Sequence, residues 1–175
     1  MMAIDYNLNN TELPVEKDIF IDNNILIYLF NPNTVNDYGY SNFLSDALEK
    51  NCKLYINSQV ISEFVNTLCR VSFYEYKNQN SLPPNYDYKR EFRNTEYFQT
   101  VYQGALQIVS NEILPITTVS TIDLQHITSS LLYNHELLDY NDCIIVSQCL
   151  AENIAIVIHD RDIINCSENI EVYHY

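Results

Sequence analysis

A chain of 175 residues, 47% of them hydrophobic, is long enough to bury the core of one domain and too apolar to be disordered. Its formal net charge of −14 speaks against a general nucleic-acid binder, because such binding draws its strength from cations that neutralise phosphates. The same charge leaves room for a nuclease whose metal offsets it locally, and it suits a basic protein partner.

Residues 1–16 are polar and acidic at the start and lack the basic opening and apolar centre of a secretory signal. They are expected to form a flexible arm, loose unless docked, ahead of a single domain spanning 17–175. Ile19-Phe20-Ile21 then reads as a short buried strand that stops at Asp22, and a helix begins near Ile25. Helical spacing of Phe43, Leu44, Ala47 and Leu48 predicts a helix within Asn36–Lys50. Lys53–Ile56 is a second strand, followed by a helix that Ser58 is expected to cap and whose apolar face carries Val60, Ile61, Phe64, Val65 and Leu68. Tyr74–Tyr88, with Pro83-Pro84 and several Asn, reads as a loop. A long helix is predicted over Lys89–Glu112 and a third strand over Ile113–Thr118. Two more helices follow, over Ile122–Tyr133 and Asn141–Asn153. The run I-A-I-V-I at Ile154–Ile158 is a strand buried on both faces, and Ile170–Tyr173 is read as a final edge strand. Strands alternating with helices imply an α/β fold with a parallel sheet covered on both sides.

No apolar run approaches the length of a membrane span. The five cysteines, Cys52, Cys69, Cys143, Cys149 and Cys166, are odd in number and scattered. They argue for a reducing, cytoplasmic setting and against a disulfide framework or a zinc site. With only Gly39 and Gly104, no Gly-rich phosphate loop is possible. The four histidines, His126, His135, His159 and His174, have no metal-ligand spacing.

The informative residues are acids. Asp22 and Asp160 each follow an apolar strand, Asp142 opens the helix that leads into the second of those strands, and Glu63 lies one turn into a helix that follows a strand. Singly, each has a plain structural reading: Asp22 or Asn24 as a helix cap, Asp139 as the cap of the helix containing Asp142, Asp160 as a turn or cap, Glu63 as a solvated helix position. Together all four fall at the carboxyl-end rim of a parallel sheet, where open α/β sheets bind ligands. Carboxylates crowded there would repel one another unless a hard divalent cation sat between them; Mg²⁺ or Mn²⁺, which prefer oxygen ligands, would serve and would activate water against a phosphodiester.

Four short motifs carry a resemblance. They are Asp22-Asn23-Asn24 after the first strand, Ser58 to Asn66 with Glu63 as its acid, Asp142-Cys143-Ile144-Ile145, and Ile158-His159-Asp160-Arg161-Asp162. In this order and spacing the chain resembles the PIN-domain ribonucleases, and among them the VapC-type toxins of bacterial toxin–antitoxin pairs, over nearly its whole length from Asp18 to Tyr173. The resemblance implies a three-layer α/β/α sandwich. It also implies Mg²⁺ or Mn²⁺ held by Asp22, Glu63, Asp142 and Asp160, with water cutting an RNA phosphodiester, often in structured RNA, to leave a 5′-phosphate and a 3′-hydroxyl. Asn24 and Asp162 would support the site. The expected partner is an antitoxin whose basic C-terminal segment wraps the groove, and a homodimer is common in the family. Two features depart from the pattern: Ile158 stands where the family usually has Ser or Thr, and Phe73–Tyr97 is longer than in compact members.

Arg70, Lys77, Lys89, Arg90 and Arg93 gather in one region among Tyr74, Tyr76, Tyr86 and Tyr88. They could hold RNA by stacking and phosphate contacts. Tyrosine is abundant everywhere in the chain, so packing of these rings on a core or dimer contact is the preferred reading. His159 could approach substrate beside Asp160, though local packing is preferred. Two competing functions remain. An acidic phosphotransfer fold with Asp22 as nucleophile is disfavoured by Asn24, where a second acid would stand, and by the lack of any Lys after Lys89. A non-catalytic PIN-like domain that binds RNA or protein is kept open by Ile158.

Overall fold

The computed structural model describes residues 3–132, 138–166 and 168–175. His135 and the end of the helix expected to reach Tyr133 lie outside the described residues. The chain divides into two compact units, Met1–Val60 with Thr117–Tyr175, and Ile61–Ile116.

The first unit holds a six-stranded sheet: β1 (Ile4–Asn7), β2 (Asp18–Ile21), β3 (Lys53–Asn57), β4 (Thr118–Ser120), β5 (Ala155–Val157) and β6 (Glu171–His174). Their order across the sheet is β1-β6-β5-β2-β3-β4, and every neighbouring pair is parallel. Its helices are α1 (Asn23–Phe30), α2 (Tyr40–Glu49), α5 (Leu124–Leu132), α6 (Tyr140–Glu152) and α7 (Arg161–Ile164). This is the expected three-layer α/β/α architecture. In β2, Ile19, Phe20 and Ile21 are all sealed from solvent, as are Ile156 and Val157 of β5. Strands without a solvent face need covering on both sides, which an all-parallel sheet receives from its crossover helices.

The N-terminal stretch, expected to be loose unless docked, is docked. Ile4–Asn7 pairs with β6 from Ile4↔Glu171 to Asn7↔His174, and Tyr6 stacks on Tyr173 with ring centroids 5.1 Å apart. The last strand, expected at the edge, therefore lies inside the sheet between β5 and β1. The third strand also moves. Ile113–Thr118 is not extended: a π turn at Val109–Ile113 runs into a 3₁₀ turn at Leu114–Ile116, and β4 occupies only Thr118–Ser120. Pro115 explains the difference, because it has no N–H for a ladder and its fixed φ suits a helical turn.

The second unit contains most of α3 (Ser58–Gln79) and α4 (Glu96–Ile108). The helix expected from Lys89 starts only at Glu96, where Thr95 Oγ1 accepts the Phe98 N–H at 3.1 Å. The loop expected from Tyr74 starts late, since α3 runs on to Gln79 with nothing in Tyr74–Gln79 to break it. At the other end of α3 the cap is Asn57, not Ser58: Asn57 Oδ1 accepts the Val60 N–H at 2.9 Å.

Candidate functional site

In this sheet β2 and β5 are neighbours, yet the chain leaves β2 for β3 on one side and reaches β5 on the other. Such a reversal opens a crevice at the carboxyl ends of the two strands. Asp22 directly follows β2, and Asp160 lies three residues past the end of β5. Because Ile21 pairs with Val157, both acids stand over one rim. Asp142 reaches that rim from the first turn of α6, the helix that runs back to β5.

Asp22, Asp160 and the neighbouring Asp139 also have structural roles. Asp22 is buried and caps α1, its Oδ2 accepting the Asn24 N–H at 3.1 Å. Asp160 caps α7, its Oδ1 accepting the Asp162 N–H at 3.1 Å. Asp139 caps α6 through Asn141 and Asp142, at 2.8 and 3.0 Å. Capping and convergence thus coexist, because a helix that starts at a strand's carboxyl end puts its cap on the rim. The expected supporting residues Asn24 and Asp162 act through their backbone N–H groups.

The convergence is visible in charge. Burial pushes the Asp142 carboxyl up to about 7, and the negative charges of Asp139, Asp22 and Asp160 push in the same direction. Polar atoms at the same rim are also unfinished. Asn23 Oδ1, beside Asp22, and Gln59 Nε2, two residues past β3, are buried without a hydrogen-bond partner among the described residues. Buried polar atoms are normally paired, so orphans at this rim are consistent with a site completed by another group.

Glu63 belongs to the second unit, partly exposed on α3 next to the buried Phe64. Asp22, Asp142 and Asp160 are the members of the expected quartet that the first unit brings together. Among the described residues no group of three or more His, Cys, Asp or Glu side chains is arranged to hold a metal ion. The donor chemistry of the rim nevertheless fits one kind of ion: all oxygen, all anionic, mutually repelling, and suited to a hard divalent cation.

The cationic cluster weighed as an RNA contact lies in the second unit, and Arg70, Arg93 and Lys77 are engaged within it. The Arg70 guanidinium lies 5.5 Å from the Tyr88 ring centre and that of Arg93 lies 5.6 Å from Phe98. Lys77 Nζ donates to the Pro84 carbonyl at 2.6 Å. Lys89 and Arg90 are exposed.

The PIN domain family profile matches residues 19–168. The chain belongs to the PIN domain family. No curated protein matches it in sequence. Among solved structures, VapBC2 from Rickettsia felis, bound to a promoter DNA fragment, is similar with a TM-score of 0.57 and 18% identity over 90% of this chain and 98% of that chain. FitAcB from Neisseria gonorrhoeae gives 0.56 at 13% identity, over 89% and 96% of the two chains. The sarcin–ricin loop cleaving toxin VapC20 of Mycobacterium tuberculosis gives 0.54 at 11% identity, over 83% and 92%. At these identities the likeness is one of fold.

Within this PIN fold, Ile158 is fully buried, its N–H donating to the Tyr173 carbonyl at 3.0 Å. Its own carbonyl accepts from the Tyr40 hydroxyl at 3.1 Å. Tyr40 therefore organises the turn before Asp160, and burial holds its hydroxyl well above its ordinary range, in the donating form. The sequence contained Tyr40 but nothing local to signal this role, since its partners lie 118 and 119 positions away. His159 packs as expected, with Nδ1 3.1 Å from the Tyr40 hydroxyl.

Proposed function

We propose that this PIN domain is a metal-dependent endoribonuclease, the toxin of a toxin–antitoxin pair. The observation that supports the reading is the placement of Asp22, Asp160 and Asp142 at the rim of the crevice between β2 and β5, where burial first and the charges of Asp139, Asp22 and Asp160 next raise the Asp142 carboxyl to about 7.

Asp22, Asp142 and Asp160 would hold Mg²⁺ or Mn²⁺. The ion supplies Lewis-acid stabilisation of phosphate charge and a more acidic water. The chain's own contribution is positioning. The α1 and α7 caps fix the Asp22 and Asp160 carboxylates through backbone N–H groups. The Tyr40 hydroxyl fixes the backbone that leads into Asp160. RNA as substrate is supported by the family and by a structural neighbour described as cleaving the sarcin–ricin loop. An antitoxin with a basic C-terminal segment is supported by neighbours solved as VapBC and FitAB complexes and by this chain's acidity. A homodimer and a cytoplasmic setting belong to the same reading. None of the described helices is long and apolar enough to cross a membrane, and all five cysteines are free and buried.

The test is cleavage of a structured RNA with and without Mn²⁺. Asp22→Asn should lower the rate at least about 100-fold while leaving the fold intact, because Asn caps a helix as well as Asp does. Undiminished cleavage by Asp22→Asn, or full activity in chelator, would remove this assignment.

A second reading is favoured by Ile158, a buried apolar residue at the position where the resemblance to PIN-domain ribonucleases leads one to expect Ser or Thr. In it the PIN scaffold binds RNA or protein without cutting. Calorimetry that finds no Mn²⁺ binding alongside retained RNA binding would select it.

A further inference from the structure

Next to the carboxylates the same rim carries an aromatic and cationic surface. Tyr28, Tyr38, Tyr40 and His159 form one cluster: Tyr38 lies 4.7 Å from His159, Tyr28 lies 5.1 Å from His159, and Tyr28 lies 4.9 Å from Tyr38, centre to centre. Tyr40 is wholly buried and anchors the group, but Tyr38 is 46% exposed. Tyr38 also sits at φ 56°, in the left-handed region that bulky residues avoid, and Gly39 follows at φ 93°. Two side chains keep this turn in place. Asn36 Oδ1 accepts the Tyr38 N–H at 2.9 Å, and Asp37 accepts the Gly39 and Ser41 N–H groups at 3.1 Å each. Backbone strain is thus spent on holding an exposed ring against the residue that precedes Asp160.

The second component is Arg161. It is the only Lys or Arg after Arg93, and it stands between Asp160 and Asp162. It is exposed and makes no ion pair among the described residues. It lines a hollow of about 420 Å³ together with His159, His174, Asn165 and Tyr175. His174 is engaged by Asp5 in this hollow, which leaves Arg161 as its available cation. His159 belongs to both the hollow and the aromatic cluster.

We propose that this face is a nucleotide subsite of the RNA groove, in which Tyr38, backed by Tyr28 and His159, stacks an unpaired base while Arg161 holds an adjoining phosphate. The proposal rests on RNA being the substrate. In a chain this acidic, a phosphate approaching three carboxylates needs a nearby cation, and Arg161 is one residue from Asp160. Stacking adds affinity without adding charge, and every base offers a face to an aromatic ring.

The test uses the full chain with Asp22→Asn in chelator, so that binding is read without cleavage. The probe is a short single-stranded RNA carrying 2-aminopurine. Stacking should quench its fluorescence. Adding Tyr38→Ala should weaken Kd at least about fivefold and abolish the quench, while Tyr38→Phe retains both. Arg161→Ala should weaken Kd about tenfold at low salt and reduce the salt slope by about one. Unchanged Kd and quench in Tyr38→Ala and Arg161→Ala would overturn the proposal. So would loss, in those variants, of a protein partner's binding alone. The two readings separate cleanly. A protein that binds through this face but never cuts RNA keeps the subsite and loses the nuclease. A nuclease whose KM is untouched by both variants keeps the activity and loses the subsite.

Discussion

Asp142 does most to define the rim at the scale of single residues. Its carboxyl is raised to about 7 by burial and then by Asp139, Asp22 and Asp160, against an ordinary value near 4. A folded-state value above the unfolded one means that the native protein binds the extra proton. The contribution of this one group to stability is therefore neutral below about pH 4, becomes unfavourable as pH rises from 4 to 7, and reaches its full penalty above 7. Asp142→Asn removes that penalty. In metal-free protein the substitution should raise stability at pH 8 by about 1–2 kcal/mol, the upper range being discounted because Asp142 is only partly buried. That corresponds to about 4 °C in Tm, with almost no gain at pH 4. Thermal melts at the two pH values check this, and an equal gain at both would show that crowding of charge is not the cause. Asp22→Asn should show a smaller version of the same effect, since it removes one of the charges that raise the Asp142 carboxyl.

Among the elements, β3, α6 and β4 are tied together by one buried network. Asn57 Nδ2 donates to Gln148 Oε1 at 3.0 Å while its Oδ1 caps α3. Gln148 Nε2 donates to Ser120 Oγ at 2.5 Å and to Glu152 Oε1 at 3.2 Å. Asn57 and Gln148 are both fully buried, so these two side chains depend on each other and on their further partners. Asn57→Leu strands the Val60 N–H and Gln148 Oε1 and should cost about 2–4 kcal/mol, read as a lower urea midpoint at constant m. Asn57→Ser keeps an oxygen for the cap and should lose roughly half as much. A Leu variant as stable as the parent would mean the network contributes nothing net. This network also marks the limit of what the residues disclosed. β2 and β5 were legible as unbroken apolar runs, and α6 as a helix following Asp139, because those signals are local. β1 was not, since I-D-Y-N has no apolar run and becomes a strand only by pairing with β6, more than 160 positions on. The shift of β4 past Pro115 was available in principle, because proline's missing N–H argues against a ladder, but the β-branched residues around it outweighed that signal. The placement of Asp22, Asp142 and Asp160 at one rim was legible because strand ends and helix starts in a parallel fold share that rim. Arg161 and Tyr38 were not singled out, as only the folded turn brings Tyr38 to His159 and opens the hollow beside Arg161.

For the molecule as a whole, charge is distributed unevenly along the chain. Of the cationic side chains, Arg70, Lys77, Lys89, Arg90 and Arg93 belong to the unit Ile61–Ile116. The unit that holds the sheet has Lys17, Lys50, Lys53 and Arg161, and two of these are paired: Lys17 with Glu171 at 2.6 Å, and Lys50 with Glu12 and Asp46 at 3.1 Å each. The sheet unit is therefore the strongly acidic part of a chain with net charge −14, and its carboxylate rim is where a positive segment gains most. A basic side chain and a divalent cation would relieve the same repulsion among Asp22, Asp142 and Asp160, so the two should compete. An oligo-arginine peptide, a probe of the proposed antitoxin contact, should bind with a Kd that weakens at least about tenfold between low and about 0.5 M salt, as expected when exposed charges are screened beyond a few ångströms. Its apparent Kd should also rise in step with added Mn²⁺, and Asp22→Asn with Asp142→Asn should flatten that dependence. Fluorescence anisotropy of the labelled peptide measures all three effects. Binding that ignores Mn²⁺ while still falling with salt would place the peptide on the general acidic surface and away from the rim.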